Sequence, residues 1–391
     1  MTVNTISVIG AGMMGCQIAQ VALMGGYNTV ILNDLTKENL EKALYKIRKG
    51  LERIEIKGKL NPAYTVSSLI DNLVLELDLK KAVTNAEFIF EAIPEVMKLK
   101  KDLFKKIGSF SQKNAIIATN TSTMSISEIA QASGKPEKVI GCHFFAPVIV
   151  LRLIEIIRGN NTSEETVVIA KEVCNKLPAL QGKRYLPVLE KESPGFIVNR
   201  ITLSISLYMK WLLDYSIKND IPLEQIDADA ESLAEIGPFA KWDYLGLDTI
   251  YNTMKYFSEV LSPDFSPCKT LTRLVNEGHL GRKTGKGLFE WYQGKPILSK
   301  TKKAGLFNIE LFMAIQLNEG CKLLEEGIVK GYKTIDDAMM AGMNIPGPFG
   351  AGKRNYIKWT RLLQDFTEES GMNYLKPCNL MKSGSFIKMR K

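Results

Sequence analysis

Two histidines occur in the 391 residues, and one of them, His143, has the company that proton transfer needs. It lies in Gly141-Cys142-His143-Phe144-Phe145-Ala146-Pro147, with Glu155 twelve residues further on. A neutral imidazole can accept a hydroxyl proton, and a carboxylate on its other nitrogen orients the ring and stabilises the imidazolium that forms. Upstream, Val8-Ile9-Gly10-Ala11-Gly12-Met13-Met14-Gly15 has the spacing of a dinucleotide loop. Gly10 gives the tight turn, Gly12 lets backbone approach a pyrophosphate, and Gly15 lets a helix pack on the strand. The helix opening at Met13 and Met14 offers free N–H groups to phosphate oxygens. Asp34, nineteen residues beyond Gly15, is placed to bind ribose hydroxyls and repel a 2′-phosphate, which favours NAD over NADP. A base beside a nucleotide loop suits hydride transfer from a hydroxyl-bearing carbon.

Such residues need a sheet to hold them. Thr5–Gly10 and Thr29–Asn33 read as short parallel strands joined by a helix over Met13–Gly25, with Ile18, Val21 and Ala22 on one face. Strand-like runs return at Val74–Leu77, Phe88–Ala92, Ala115–Ala118 and Val139–Cys142. Two more, Leu151–Ile157 and Arg184–Glu190, are joined by a helix over Ser163–Leu177. Between the second and third strands, the stretch from Thr36 to Asp71 is helical in pattern, rich in lysine and arginine, and broken at Asn61-Pro62. A helical pair projecting from the sheet is expected there. His143 then follows a strand, at the carboxyl end of the sheet where ligands bind in open α/β folds.

After Ser193-Pro194-Gly195 the strand signals give way to long helices, and this helical part repeats itself. Leu212-Leu213, Ile226-Asp227 and Gly237-Pro238-Phe239 return about 110 residues later as Leu323-Leu324, Ile335-Asp336 and Gly347-Pro348-Phe349. The expected fold is an α/β Rossmann-like NAD-binding domain with a projecting helical pair over 1–192. Two related all-α domains follow, over 193–295 and 296–391.

Composition narrows the partners. With 45% hydrophobic and 24% charged residues the chain can build full cores. No apolar run reaches the length of a membrane span, so no membrane partner is expected. The six cysteines show no Cys-x-x-Cys and no Cys/His ligand spacing, so no metal is expected. The first strand begins too near Met1 to leave room for an export signal, which points to reduced thiols and a cytoplasmic location. The net charge of +9 favours an acidic partner. In the absence of a nucleic-acid-binding motif, that partner is a phosphate-bearing small molecule.

The chain resembles the 3-hydroxyacyl-CoA dehydrogenase family along essentially its whole length. The resemblance rests on the Val8–Gly15 loop, Glu91-Ala92-Ile93-Pro94-Glu95, Thr119-Asn120-Thr121-Ser122-Thr123 and His143-Phe144-Phe145. It continues through Ser193-Pro194-Gly195-Phe196-Ile197-Val198-Asn199-Arg200 and Gly281-Arg282-Lys283-Thr284-Gly285-Lys286-Gly287. It implies NAD-dependent oxidation of an (S)-3-hydroxyacyl-CoA, as in fatty-acid β-oxidation, and the reverse reduction. His143 is then the base, Glu155 its partner, Ser122 a donor to the substrate oxygen, and Asn199 a holder of the thioester carbonyl. Glu95, Lys100 and Asn120 join the glycine loop and Asp34 on the cofactor. Lys49 and Lys57, on the basic helical pair, face the acidic CoA moiety.

The sequence departs from the family at Ala146, where Asn is usual, in a longer Cys174–Ser193 segment, and at Leu233-Ala234-Glu235-Ile236, where Gly-x-Pro is usual. Two helical copies in one chain, as in the fused multifunctional relatives, make a monomer possible, with a homodimer otherwise. The rival readings are a dehydrogenase of a free hydroxy acid or polyol, against which the basic helical pair argues, and a non-catalytic dinucleotide-binding protein.

Overall fold

The structure, a computed structural model, describes residues 3–233, 236–298 and 302–391. Ala234 and Glu235 of the departure noted above lie outside these residues, as does part of the linker after Trp291. The chain divides into two units, Met1–Val198 with Glu326–Gly347 and Lys391, and Asn199–Glu325 with Pro348–Arg390.

The first unit is built on one sheet. In chain order it comprises β1 (Thr5–Ile9), α1 (Met13–Met24), β2 (Thr29–Asn33), α2 (Lys37–Ile56), α3 (Val66–Asp71) and β3 (Leu73–Glu76). Next come α4 (Leu79–Thr84), β4 (Phe88–Glu91), α5 (Met97–Phe110), β5 (Ile116–Thr119), α6 (Ile126–Ala132) and β6 (Val139–Phe144). β7 (Ile154–Ile157), α7 (Glu164–Lys176) and β8 (Val188–Leu189) complete it. The strand order is β3-β2-β1-β4-β5-β6-β7-β8. The first six strands are parallel, in the doubly wound order that places the ligand crevice at the β1/β4 switch point. β7 runs antiparallel to β6, and its register sets Glu155 directly opposite His143. Facing residues of an antiparallel pair lie on the same side of the sheet. The twelve-residue spacing is thus the length of a strand, a turn and a return.

The central strands are apolar on both faces, as a sheet covered by helices on both sides requires; Phe88, Phe90, Ile116 and Ile140 are all fully buried. The expected helical pair is unequal. α2 is twenty residues long and is capped by Thr36, whose side chain accepts from Asn39 N. It buries Leu40, Ala43, Ile47, Leu51 and Ile54, the three-and-four spacing of one helical face. α3 has six residues and is held by a Thr65/Ser68 capping box. α7 is capped by Ser163.

A part of the second repeat belongs to this unit. Helix Tyr332–Met343 lies at the β7/β8 side, where Ala341 O accepts from Arg152 N (3.0 Å) and Leu153 N (3.2 Å). A Cβ on Gly342 would stand 2.6 Å from Leu153 Cδ2, so a larger residue there would require the Leu153 side chain to shift. Alternating patterns along the sequence carry no signal for such a contact.

The second unit is helical, with α8 (Val198–Lys218, beginning at the last residue of the first unit), α9 (Leu223–Asp229), α10 (Pro238–Leu245), α11 (Leu247–Val260) and α12 (Lys269–Asn276). The later part supplies α13 (Ile309–Glu325); counting Tyr332–Met343 as α14, α15 (Phe349–Ser370) and α16 (Asn379–Ser383) follow. The two repeats touch inside this unit. Tyr208 donates to Leu306 O (3.0 Å), Trp211 packs edge-on against Phe366, and buried Arg200 pairs with buried Glu319 at 2.7 Å. The Gly281–Gly287 motif folds around Asp243, whose carboxylate accepts from Leu288 N, Phe289 N and Trp291 Nε1 at 2.8–2.9 Å.

The repeat also has a physical signature. Asp227 accepts from Phe239 N (2.8 Å) and Ala240 N (2.9 Å), the first turn of α10, and a Cβ on Gly237 would sit 2.3 Å from its side chain. In the second copy a Cβ on Gly347 would likewise sit 2.1 Å from Asp336 Oδ1. Burial outweighs the two N–H donors and pushes the Asp227 carboxyl up to about 6. A raised folded-state value stabilises the fold below the unfolded value near 4 and loses that stabilisation as pH climbs through 6. Asp227→Asn removes this titration. The melting temperature of the wild type should therefore fall relative to the Asn variant between pH 4 and 6.5, by an equivalent of up to about 3 kcal/mol, and run parallel to it above. Differential scanning calorimetry across that range checks it.

Candidate active site

The glycine loop is built by steric exclusion. Gly10 has φ of +103°, and a Cβ there would stand 2.7 Å from Ala92 O. A Cβ on Gly15 would stand 1.7 Å from Gly10 O, so only glycine lets α1 start against β1. Gly12 is the opposite case, since a Cβ there would meet nothing within 4 Å. That open space lies at the N-terminus of a twelve-residue helix with no side-chain cap and no acidic residue in its first turn. Met13 is exposed and Met14 half-buried beside it. An open cradle under uncapped N–H groups fits a pyrophosphate. Asp34 closes the loop, accepting from Ala11 N and from Asn39 Nδ2, both at 2.8 Å. The residues present therefore fit NAD.

Beyond the loop, a charged network ties the ends of β4 and β5 together. Glu91, fully buried, accepts from Lys100 Nζ (2.7 Å), Ile93 N (2.8 Å) and Thr119 Oγ1 (2.6 Å). Lys100 is 1% exposed and also reaches Glu95 Oε2 at 3.2 Å. Glu95 Oε1 accepts from Thr121 Oγ1 (2.9 Å), Ser122 N (2.5 Å) and Ser122 Oγ (3.0 Å). Asn120 Oδ1 accepts from Phe144 N at 2.9 Å, which links this loop to the residue after His143. Breaking a buried ion pair by removing one partner strands the other charge. Lys100→Met should therefore destabilise the first unit by about 3–5 kcal/mol. Chemical denaturation monitored by circular dichroism reads this directly.

His143 is 5% exposed, and its Nδ1 lies 2.7 Å from Glu155 Oε2. The rings of Phe145 and Phe196 flank the imidazole, with centroids at 4.4 and 5.6 Å. Glu155 is fully buried, and its other oxygen accepts from Ile197 N (3.1 Å) and Val198 N (3.0 Å). An ionised carboxylate only accepts, so its contact with Nδ1 assigns the ring proton to that nitrogen and leaves Nε2 as the acceptor.

The structure thus brings His143 together with Glu155, and Ser122 together with Glu95 and Lys100. Lys49 and Lys57 stand elsewhere, exposed on and just after α2, with Lys49 bound to Glu52 at 2.8 Å. Asn199 is on α8, in the second unit. Glu91, Thr119 and Thr121 entered the sequence reading only as motif residues without a role, and Gln17, whose Oε1 accepts from Val148 N at 2.7 Å, did not enter it. For Glu91 a signal was present, a carboxylate closing the otherwise apolar strand Phe88–Glu91.

A doubly wound sheet, a phosphate cradle at its switch point and a buried histidine–carboxylate pair define an NAD-dependent oxidoreductase. Residues 5–185 match the NAD binding domain of 3-hydroxyacyl-CoA dehydrogenase, and residues 195–291 match its C-terminal domain. The chain belongs to the 3-hydroxyacyl-CoA dehydrogenase family. It is 34% identical over 297 residues to the mitochondrial hydroxyacyl-coenzyme A dehydrogenase of Rattus norvegicus, covering 74% of this chain and 91% of that one. It is also 34% identical over 287 residues to a probable 3-hydroxybutyryl-CoA dehydrogenase of Deinococcus radiodurans, covering 73% and 99%. A crystal structure of 3-hydroxybutyryl-CoA dehydrogenase from Escherichia coli K12 superposes with a TM-score of 0.84 at 24% identity, covering 99% of both chains, and so shares the fold.

Proposed function

We propose that this chain oxidises an (S)-3-hydroxyacyl-CoA to the 3-oxoacyl-CoA with NAD, and catalyses the reverse reduction. The observation that carries the reading is the buried His143–Glu155 pair, set across two strands at the carboxyl end of a sheet whose glycine loop fits a dinucleotide. The cofactor supplies the hydride acceptor. His143 Nε2 takes the proton from the C3 hydroxyl, and Glu155 holds Nδ1–H and stabilises the positive ring. Ser122, whose hydroxyl contacts Glu95, turns to support the substrate oxygen. Lys100 acts through Glu95, since its ammonium is buried between two carboxylates.

Asn199 belongs to the second unit, and its assignment to the thioester carbonyl rests on the Ser193–Arg200 motif. Lys49 and Lys57 offer charge to the CoA phosphates. A cytoplasmic location suits the six free thiols, and none of the described helices is long and apolar enough to cross a membrane.

The test is NADH consumption with acetoacetyl-CoA beside free acetoacetate, with NADPH substituted in parallel. Rapid turnover of the CoA ester with NADH, and little of the free acid or with NADPH, is expected. Equal turnover of free acetoacetate would move the assignment to a hydroxy-acid dehydrogenase.

A further inference from the structure

Glu155 does more than face His143. It is wholly buried, and its second oxygen lies against two consecutive main-chain N–H groups, those of Ile197 and Val198. Successive N–H groups presented by a turn form a small concavity that binds an anion. The turn here is an unusual one. Gly195 has φ of +77°, and Phe196, with a full side chain, has φ of +56°. Glycine takes that region freely, whereas a phenylalanine is held there against its steric preference, at about 1–3 kcal/mol. Phe196 is fully buried, with its N–H bonded to Ser193 O at 2.9 Å, so its surroundings enforce the conformation. A second carboxylate pins the same segment upstream, where Glu192 accepts from Ser125 Oγ (3.0 Å) and Ser127 N (2.9 Å).

We infer that the left-handed pair Gly195–Phe196 is a positioning element for the general base, aiming the Ile197 and Val198 N–H groups at Glu155 so that its other oxygen fixes His143. The inference rests on the proposed role of His143. Without the two N–H donors the buried carboxylate has unsatisfied lone pairs and is free to rotate away from Nδ1. Substrate and cofactor affinity would be untouched, because neither donor faces them in this account. The effect belongs in kcat, where a displacement of a reacting group by about 1 Å costs on the order of a hundredfold.

Phe196 permits a test in which packing is held constant. Phe196→Leu and Phe196→Ile remove the same ring and bury side chains of the same atomic composition. Only isoleucine is β-branched, and a β-branched residue is a steric outlier at positive φ. If the backbone conformation is what matters, Phe196→Ile should turn over about tenfold more slowly than Phe196→Leu, with KM for acetoacetyl-CoA and for NADH within about twofold of each other. Equal kcat in the two folded variants, or a higher kcat for Phe196→Ile, overturns the inference.

A second readout is independent of turnover. With only two histidines in the chain, nitrogen-labelled histidine gives two rings in the spectrum, and His279→Gln identifies the other. The His143 Nδ1–H signal should be slowly exchanging in the wild type and Phe196→Leu and lost in Phe196→Ile; retention in all three overturns the inference. An inactive wild type would contradict the proposed function, while this signal would still decide the inference. Should Phe196→Ile fail to fold, an amide-to-ester replacement at Ile197 deletes one donor alone. A kcat lower by about tenfold supports the inference, and an unchanged kcat with an unchanged Nδ1–H signal overturns it.

Discussion

His143→Gln should lower kcat by about a thousandfold or more while leaving the dissociation constant for NADH within about twofold of the wild type. The ring is 5% exposed and its Nδ1 is committed to Glu155, so Nε2 is the one basic position the residue offers. A glutamine of similar reach fills the space between the rings of Phe145 and Phe196 without accepting a proton. The glycine loop and Asp34 are held by contacts that do not include His143. Cofactor binding, followed by the fluorescence of NADH, is therefore the control that separates a lost base from a lost fold. A variant that kept wild-type turnover would require another proton acceptor.

Glu155→Gln should be nearly as damaging, with kcat down by about a thousandfold or more, and it should also lower the melting temperature. The carboxylate accepts on both sides, from His143 Nδ1–H on one oxygen and from Ile197 N and Val198 N on the other. A primary amide has one accepting end. If its oxygen faces the histidine, its NH2 group confronts two N–H donors. If its oxygen faces those donors, its NH2 group faces Nδ1 and drives the ring to the other tautomer, leaving Nε2 protonated and unable to accept. In the first orientation the two main-chain donors lose their acceptor, and in the second, one hydrogen of the buried NH2 group has none. A buried polar group left without a partner costs about 1–3 kcal/mol, so stability falls in either orientation. Glu155→Asp keeps the charge but shortens the reach, and should recover part of the stability and less of the rate. Thermal melts and steady-state kinetics on the two variants together check the argument.

How much of this was legible in the sequence depended on the range of the interaction. The glycine loop and Asp34 are local, and each glycine has a steric reason that its spacing announces. The His143–Glu155 pair was named from its residue types and the family resemblance; the antiparallel return of β7 that sets the two opposite each other has no signature in a twelve-residue spacing. The Glu91–Lys100–Glu95 network was half legible. Glu91 and Glu95 sit in a motif, and Lys100 was expected beside the cofactor; its burial as a tie between the two carboxylates is not encoded in a nine-residue separation.

The Ile197 and Val198 donors were not legible at all. Main-chain N–H groups carry no sequence identity, and a phenylalanine at positive φ has no local signature. The same limit applies to helix Tyr332–Met343. Its pattern shows a helix, but its contact with Arg152 and Leu153 depends on a chain separation of more than 180 residues, which no periodicity reports.

The most direct test of the central claim supplies NAD and (S)-3-hydroxybutyryl-CoA to the wild type and to His143→Gln and follows the rise of NADH absorbance. Rapid NADH formation by the wild type, reduced by about a thousandfold in the variant, is the predicted result. No NADH from a folded, NAD-binding wild type, or equal rates from the two proteins, would contradict the account.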